Sequence, residues 1–101
     1  MLAQFSITPL GVGEKLAGQV AGILDIIDRS GLEYRFSAMS TIVEGDWDEI
    51  MGLIRLCRDH LRREADRVLI NIVIDDRKGA AGRLDGKVRD VETVLGRKLK
   101  Q

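Results

Sequence analysis

The sequence predicts an α+β sandwich in which a four-stranded antiparallel sheet carries two helices on one face and a further helix follows the last strand. Three observations lead to this prediction. Apolar and polar residues alternate near the N-terminus, apolar residues recur at helical spacing in three later segments, and residues 68–74 form an almost continuous apolar run. The order of these patterns is β-α-β-β-α-β-α. The 101 residues are enough for one compact domain, expected to span 1–101.

The first strand and helix are predicted from the segment before residue 30. Ala3, Phe5 and Ile7 alternate with polar residues, so they should face a core, and Pro9 should end the strand. A helix is predicted for 14–29, with Gly31 suited to the left-handed position after its end. Its apolar stripe consists of Leu16, Val20, Ile23, Leu24 and Ile27.

The middle of the chain predicts a hairpin and a second helix. Two short strands, 33–38 and 41–44, flank a tight Met39-Ser40 connection. Asp46 and Glu49 have the spacing of a capping box, so the second helix should begin there. Its apolar stripe consists of Ile50, Leu53, Ile54, Cys57 and Leu61.

The last strand is predicted for 67–76 and a third helix for the segment that ends at Gly96. Two βαβ units joined by a hairpin imply a ferredoxin-like sandwich. The sheet face away from the first two helices would include Leu2, Leu69 and Val73, which is too apolar for free exposure. We therefore expect the third helix or a second copy of the chain to cover it, and we favour a homo-oligomer.

Composition narrows the function classes. One cysteine and one histidine, His60, exclude an internal disulfide and mechanisms that need two histidines, and no spacing resembles a metal site. The net charge is zero, so no overall field favours nucleic acid or a membrane surface. There is no membrane-spanning run and no signal-peptide pattern, so a cytoplasmic location is expected. No nucleophile motif is present, and we expect no catalytic activity and no cofactor.

Three segments together resemble one family of small proteins. They are Ser6-Ile7-Thr8-Pro9-Leu10-Gly11, Met39-Ser40-Thr41-Ile42-Val43-Glu44-Gly45-Asp46 and Ile74-Asp75-Asp76-Arg77, and residues 86–92 also fit. The chain resembles the thiamine-binding-protein family over essentially its whole length, with a departure at Ala38, where the family often has proline. The resemblance implies a ferredoxin-like subunit, dimers that pair into a tetramer, and non-catalytic binding of thiamine or its hydroxymethylpyrimidine moiety.

Four residues are predicted ligand contacts in a cleft where subunits meet: Ser6, Thr41, Glu44 and Asp75. Ser6 and Asp75 lie on strands expected to pair, and alternation places both on the face away from the helices. Thr41, on the other central strand, is expected to share that face, whereas alternation turns Glu44 to the opposite one. Glu44 is retained because an acidic strand end within the family motif lacks a structural explanation. Carboxylates suit the charge and amino group of thiamine, and hydroxyls can reach its ring nitrogens.

Three alternatives belong to other function classes. An acylphosphatase-like enzyme needs an arginine in the loop after the first strand, and 9–13 has none. An RNA-binding module needs aromatic residues on the central strands, and 41–44 has none. A regulatory or structural oligomer that binds another effector, such as an amino acid, is the main alternative.

Overall fold

The computed structural model describes residues 1–100 and confirms the predicted α+β, ferredoxin-like fold. Its elements are β1 (Leu2–Leu10), a 3-10 turn (Gly13–Lys15), α1 (Leu16–Arg29), β2 (Glu33–Phe36), β3 (Thr41–Glu44), α2 (Trp47–Arg62), β4 (Arg67–Asp75) and α3 (Arg83–Leu95). The strand order is β2-β3-β1-β4, and all neighbours are antiparallel.

The core lies between the sheet and the pair α1 and α2. Phe5 and Val43 from the sheet pack against Ile27, Ile50 and Leu61 from the helices, all at most 2% exposed. Fully burying an aliphatic or phenyl side chain stabilises the fold by about 1.5–3 kcal/mol each, so this layer holds the two helices on the sheet. The alternation of β1 and the stripes of both helices predicted these contacts.

Local signals set the helix ends. Asp46 accepts a hydrogen bond from the Glu49 backbone N–H, and the Glu49 carboxylate accepts one from the Asp46 N–H, which confirms the capping box. α1 itself begins at Leu16, after a 3-10 turn. Gly31 and Gly96 follow α1 and α3 with φ of 79° and 73°, values that favour glycine.

The register leaves a notch beside β1. β1 pairs with β4 along all nine of its residues, but with β3 only from Leu2 to Phe5. The hairpin strand β2 ends at Phe36, two residues earlier than predicted, and the chain then turns back into Thr41. Beyond Phe5, the edge of β1 that faces the hairpin therefore has no strand partner in the described part of the chain.

α3 covers only part of the other sheet face. It contacts β3 and β2, and none of its residues is fully buried. Leu69 and Val73 on β4 remain 47% and 68% exposed. Of the two predicted covers for this face, the third helix therefore reaches only part of it and leaves an apolar strip of β4 exposed. No helix within residues 1–100 is long and apolar enough to cross a membrane.

Candidate functional site

Two of the predicted ligand contacts lie in one row across the sheet. Leu2 on β1 is paired with Glu44 on β3 and with Asp75 on β4. Directly paired residues point to the same face, so both carboxylates lie on the α3 side of the sheet, about 10 Å apart across two strand spacings. Both line a cavity of about 120 Å³ that also includes Arg77, Arg83 and Lys87.

Glu44 caps α3. Its carboxylate accepts hydrogen bonds from the backbone N–H groups of Arg83 at 3.0 Å and Leu84 at 3.1 Å. The Arg83 and Leu84 donors hold the pKa of Glu44 below its ordinary value of 4.5. These are two of the N–H groups that a helix start leaves without partners. Glu44 therefore has a structural role that the sequence analysis did not foresee.

Asp75 pairs with α3 as well. Its carboxylate accepts a hydrogen bond from Lys87 Nζ at 2.8 Å, and this contact with the ammonium group lowers the pKa of Asp75. Both partners are more than half exposed, so the pair adds little stability. With both acids engaged and three cations lining the same cavity, this end of the sheet does not favour a cationic ligand.

Ser6 lies at a distance from those acids. It shares the open face with Asp75, as predicted, but is paired with Asn71, whereas Asp75 is paired with Leu2. Four residues along a strand correspond to about 13 Å. The predicted strand pairing and shared face of Ser6 and Asp75 are therefore confirmed, but the register separates the two side chains along the sheet.

The predicted orientation of Thr41 is wrong. Thr41 is paired with the core residue Phe5 and is only 6% exposed, so its side chain lies on the helix side of the sheet. Alternation along β3 then places Glu44 on the face of Asp75 and Ser6. The prediction that Thr41 and Glu44 lie on opposite faces of the sheet is correct, but each lies on the face predicted for the other.

Ser6 and Thr41 both border a second cavity, of about 180 Å³, which fills the notch between β1, α1 and the hairpin. Its polar lining comes from five hydroxyl-bearing residues, and no charged side chain is among the described residues that line it. Those five are Ser6, Thr8, Ser37, Ser40 and Thr41. Its apolar walls include Val20 and Ile23 from α1, and Phe36 and Met39 stand at its exposed side.

The hairpin beside this cavity is held by Ser37. The Ser37 backbone N–H and hydroxyl both donate to the Ser40 carbonyl at 2.9 Å. The Ser37 hydroxyl in turn accepts from the backbone N–H groups of Met39 and Ser40. This network fixes the turn although residue 38 is alanine, where the resembled family often has proline. The hydrogen bonds of residues 1–100 use neither the Ser6 nor the Thr41 hydroxyl, but only the Thr41 hydroxyl lies on the helix side of the sheet, where this cavity is.

The cysteine lies apart from both cavities. Cys57 is fully buried, and desolvation raises its pKa to about 11, so it is an unreactive core residue. No group of three or more potential metal ligands occurs among residues 1–100. Arg83 and Lys87, the two α3 residues that contact the predicted acids, were not predicted as site residues from the sequence. The spacing of charges along α3 does not indicate which strand lies beneath it.

Comparisons with known proteins agree with this fold. A UPF0045 protein of Mycobacterium bovis is 37% identical over 96 residues, covering 94% of each chain. A hypothetical protein from Methanocaldococcus jannaschii with a solved structure superposes with a TM-score of 0.79 at 29% identity, covering 89% of this chain and 93% of that one. A candidate thiamine biosynthesis/salvage protein from Thermotoga maritima superposes with a TM-score of 0.77, covering 89% and 96%; at 22% identity it supports the fold alone.

The family described as thiamine-binding protein matches residues 3–92, which include the sandwich from the second residue of β1 to the end of β4 and most of α3. The match also includes all four predicted ligand contacts and both cavities' central residues. The chain belongs to the thiamine-binding protein family.

Proposed function

We propose that this protein binds thiamine, or its hydroxymethylpyrimidine moiety, without catalysing a reaction on it. The observation that carries the proposal is the hydroxyl-lined notch between β1, α1 and the hairpin. Membership of the family supports the ligand class. We place the pyrimidine ring in this notch, with the Thr41 hydroxyl and the backbone of Ser6 among its contacts, because the Ser6 side chain lies on the open face of the sheet.

The chemistry of the notch suits a neutral aminopyrimidine. Such a ring presents nitrogen acceptors and an amino donor along one edge, and hydroxyls can both donate and accept. The strand edge of β1 beyond Phe5 adds backbone donors and acceptors, because β3 does not pair with it there. The volume of about 180 Å³ admits one substituted ring but not the whole of thiamine, so the thiazolium would remain outside, towards Phe36 and Met39.

The two acids are the alternative contacts for the charged part of thiamine. Glu44 and Asp75 were predicted from the sequence as contacts, and they stay predictions. Their carboxylates already accept hydrogen bonds from α3, and a ligand would have to replace or share these. The experiment therefore tests variants of the hydroxyl-bearing residues and variants of the acids separately.

Calorimetric titration of the purified protein with thiamine and with hydroxymethylpyrimidine tests the proposal. Thr41→Val removes one hydroxyl at nearly constant shape and should weaken binding of both ligands by about 3- to 10-fold, the value of one neutral hydrogen bond. Thr93→Val, on the exposed side of α3, is the matched control and should bind as the wild type does.

Variants of the two acids, and the wild type itself, give the results that would contradict the proposal. Asp75→Asn and Glu44→Gln should leave the affinity unchanged when the ring occupies the notch. Loss of affinity in these two variants, with none in Thr41→Val, would move the ligand to the acids. Absence of binding by the wild type at millimolar concentrations of both ligands would reject the function itself.

We also propose that the protein is a homo-oligomer. The strip of β4 that α3 leaves uncovered, with Leu69 and Val73 exposed, supports this proposal. An exposed apolar strip of this kind is typical of a protein contact surface. A second copy of the chain is the occupant we expect there.

A further inference from the structure

A further cavity lies beneath α3, separate from the notch proposed for the pyrimidine ring. It has a volume of about 520 Å³, which is within the range of small-molecule sites. Its floor is the open face of the sheet, with Leu2, Ile42 and Val73, and its roof is Leu84 and Val88 of α3. It lies on the opposite side of the sheet from the hydroxyl-lined notch.

Polar contacts in the first half of α3 connect the helix to the sheet beside the cavity. Glu44 binds the first backbone N–H groups of the helix, Lys87 pairs with Asp75, and Asp85 pairs with Arg35 on β2. No residue of α3 is fully buried against the sheet. The helix is therefore held to the sheet by polar contacts, and the apolar surfaces of the helix and of the sheet beneath it are not closely packed against each other.

The charges that line this cavity are mostly positive. Four cationic residues line it, against the single carboxylate of Asp75. The four are Arg35, Arg83, Lys87 and Lys100. Asp85 and Asp90, which pair with Arg35 and Arg83, are outside the cavity lining. These ion pairs are substantially exposed, so a ligand anion can compete with them at small cost.

We infer that the cavity beneath α3 binds an amphipathic organic anion, with its apolar part between Val73 and Val88 and its anionic group at the Arg35, Arg83 and Lys87 rim. The apolar surface of the floor and roof, which is partly exposed to water in the free protein, supplies the hydrophobic contribution. The guanidinium groups supply paired donors that match a carboxylate or phosphate. An amine of the same shape would meet the cations and be disfavoured.

Decanoate and decylamine are the probes, because they share a chain and differ in the sign of their charge at neutral pH. Titration calorimetry of the full chain should show one decanoate bound per chain and at least 10-fold weaker binding of decylamine. Val88→Trp fills the cavity and should abolish decanoate binding. Val94→Trp, at a position on the same helix that is 87% exposed, is the matched control and should not.

Lys87→Gln tests the charge preference of the cavity, which would not change if Lys87 had only a structural role. It removes one rim cation and releases the Asp75 carboxylate, so decanoate binding should weaken and decylamine binding should strengthen. Circular dichroism establishes that each variant is folded. Thr41→Val should leave decanoate binding unchanged, so failure at the notch and failure here are distinguishable.

Three outcomes would overturn the inference. Equal binding of the two probes would show that the rim does not select charge. Unchanged decanoate binding in Val88→Trp would place the probe elsewhere. Decanoate binding that weakens as protein concentration rises would show that a second copy, not a small molecule, occupies the cavity.

Discussion

Glu44 acts on another element of the fold through two hydrogen bonds. Its carboxylate accepts from the first two backbone N–H groups of α3, a helix that buries no residue fully. We expect Glu44→Ala to destabilise the protein by about 0.5–2 kcal/mol, the usual cost of losing a helix cap. Urea unfolding measures this value. Glu33→Ala is the control: Glu33 is paired with Glu44 but exposed, so its loss should cost nothing.

The same contact predicts a pH dependence. Because the Glu44 pKa is lowered in the folded state, its contribution to stability is present above the unfolded-state value of 4.5 and is lost as the pH falls through the folded-state value. Glu44→Gln cannot titrate, so the stability difference between wild type and variant should shrink between neutral pH and about pH 3. Urea unfolding at several pH values checks this. A difference independent of pH would show that the charge is not involved.

Alanine substitutions at two helical glycines separate the effect of helix propensity on stability from the effect of packing between α1 and α2. Gly52, in α2, has open space around the position of a Cβ atom, so Gly52→Ala should stabilise by about 1 kcal/mol. A Cβ atom at Gly22, in α1, would collide with the imidazole of His60 on α2. Gly22→Ala should therefore lose that gain, and His60→Ala in the same chain should restore it. Equal stabilisation by both alanines would show that His60 moves aside without cost.

At the scale of the whole molecule, the uncovered strip of β4 predicts association. Light scattering at micromolar concentration should show an oligomer of this chain, with a tetramer expected from the family resemblance. Leu69→Lys places a charge on the strip and should shift the protein towards smaller species. Val94→Lys, on the exposed side of α3, should not. A monomeric wild type would contradict the prediction.

The sequence by itself determined the order of elements, the capped start of α2 and the core. Those features depend on residues near one another in the chain: the alternation of Ala3 and Phe5, and the capping box of Asp46 and Glu49. Periodicity and capping are local properties, so they can be predicted without knowing the fold. The split of β4 into a core face and an open face was predicted for the same reason.

Tertiary structure decided which predicted contacts meet. Thr41 lies on the helix side because it is paired with Phe5, and Glu44 lies opposite Leu2 because β1 and β3 align there. A shift of one residue in register exchanges the faces of a whole strand, and alternation within one strand does not fix its alignment with the next. The partners that α3 gives to Glu44 and Asp75 lie 39 and 12 residues away in sequence, and only packing of that helix on the sheet brings them together.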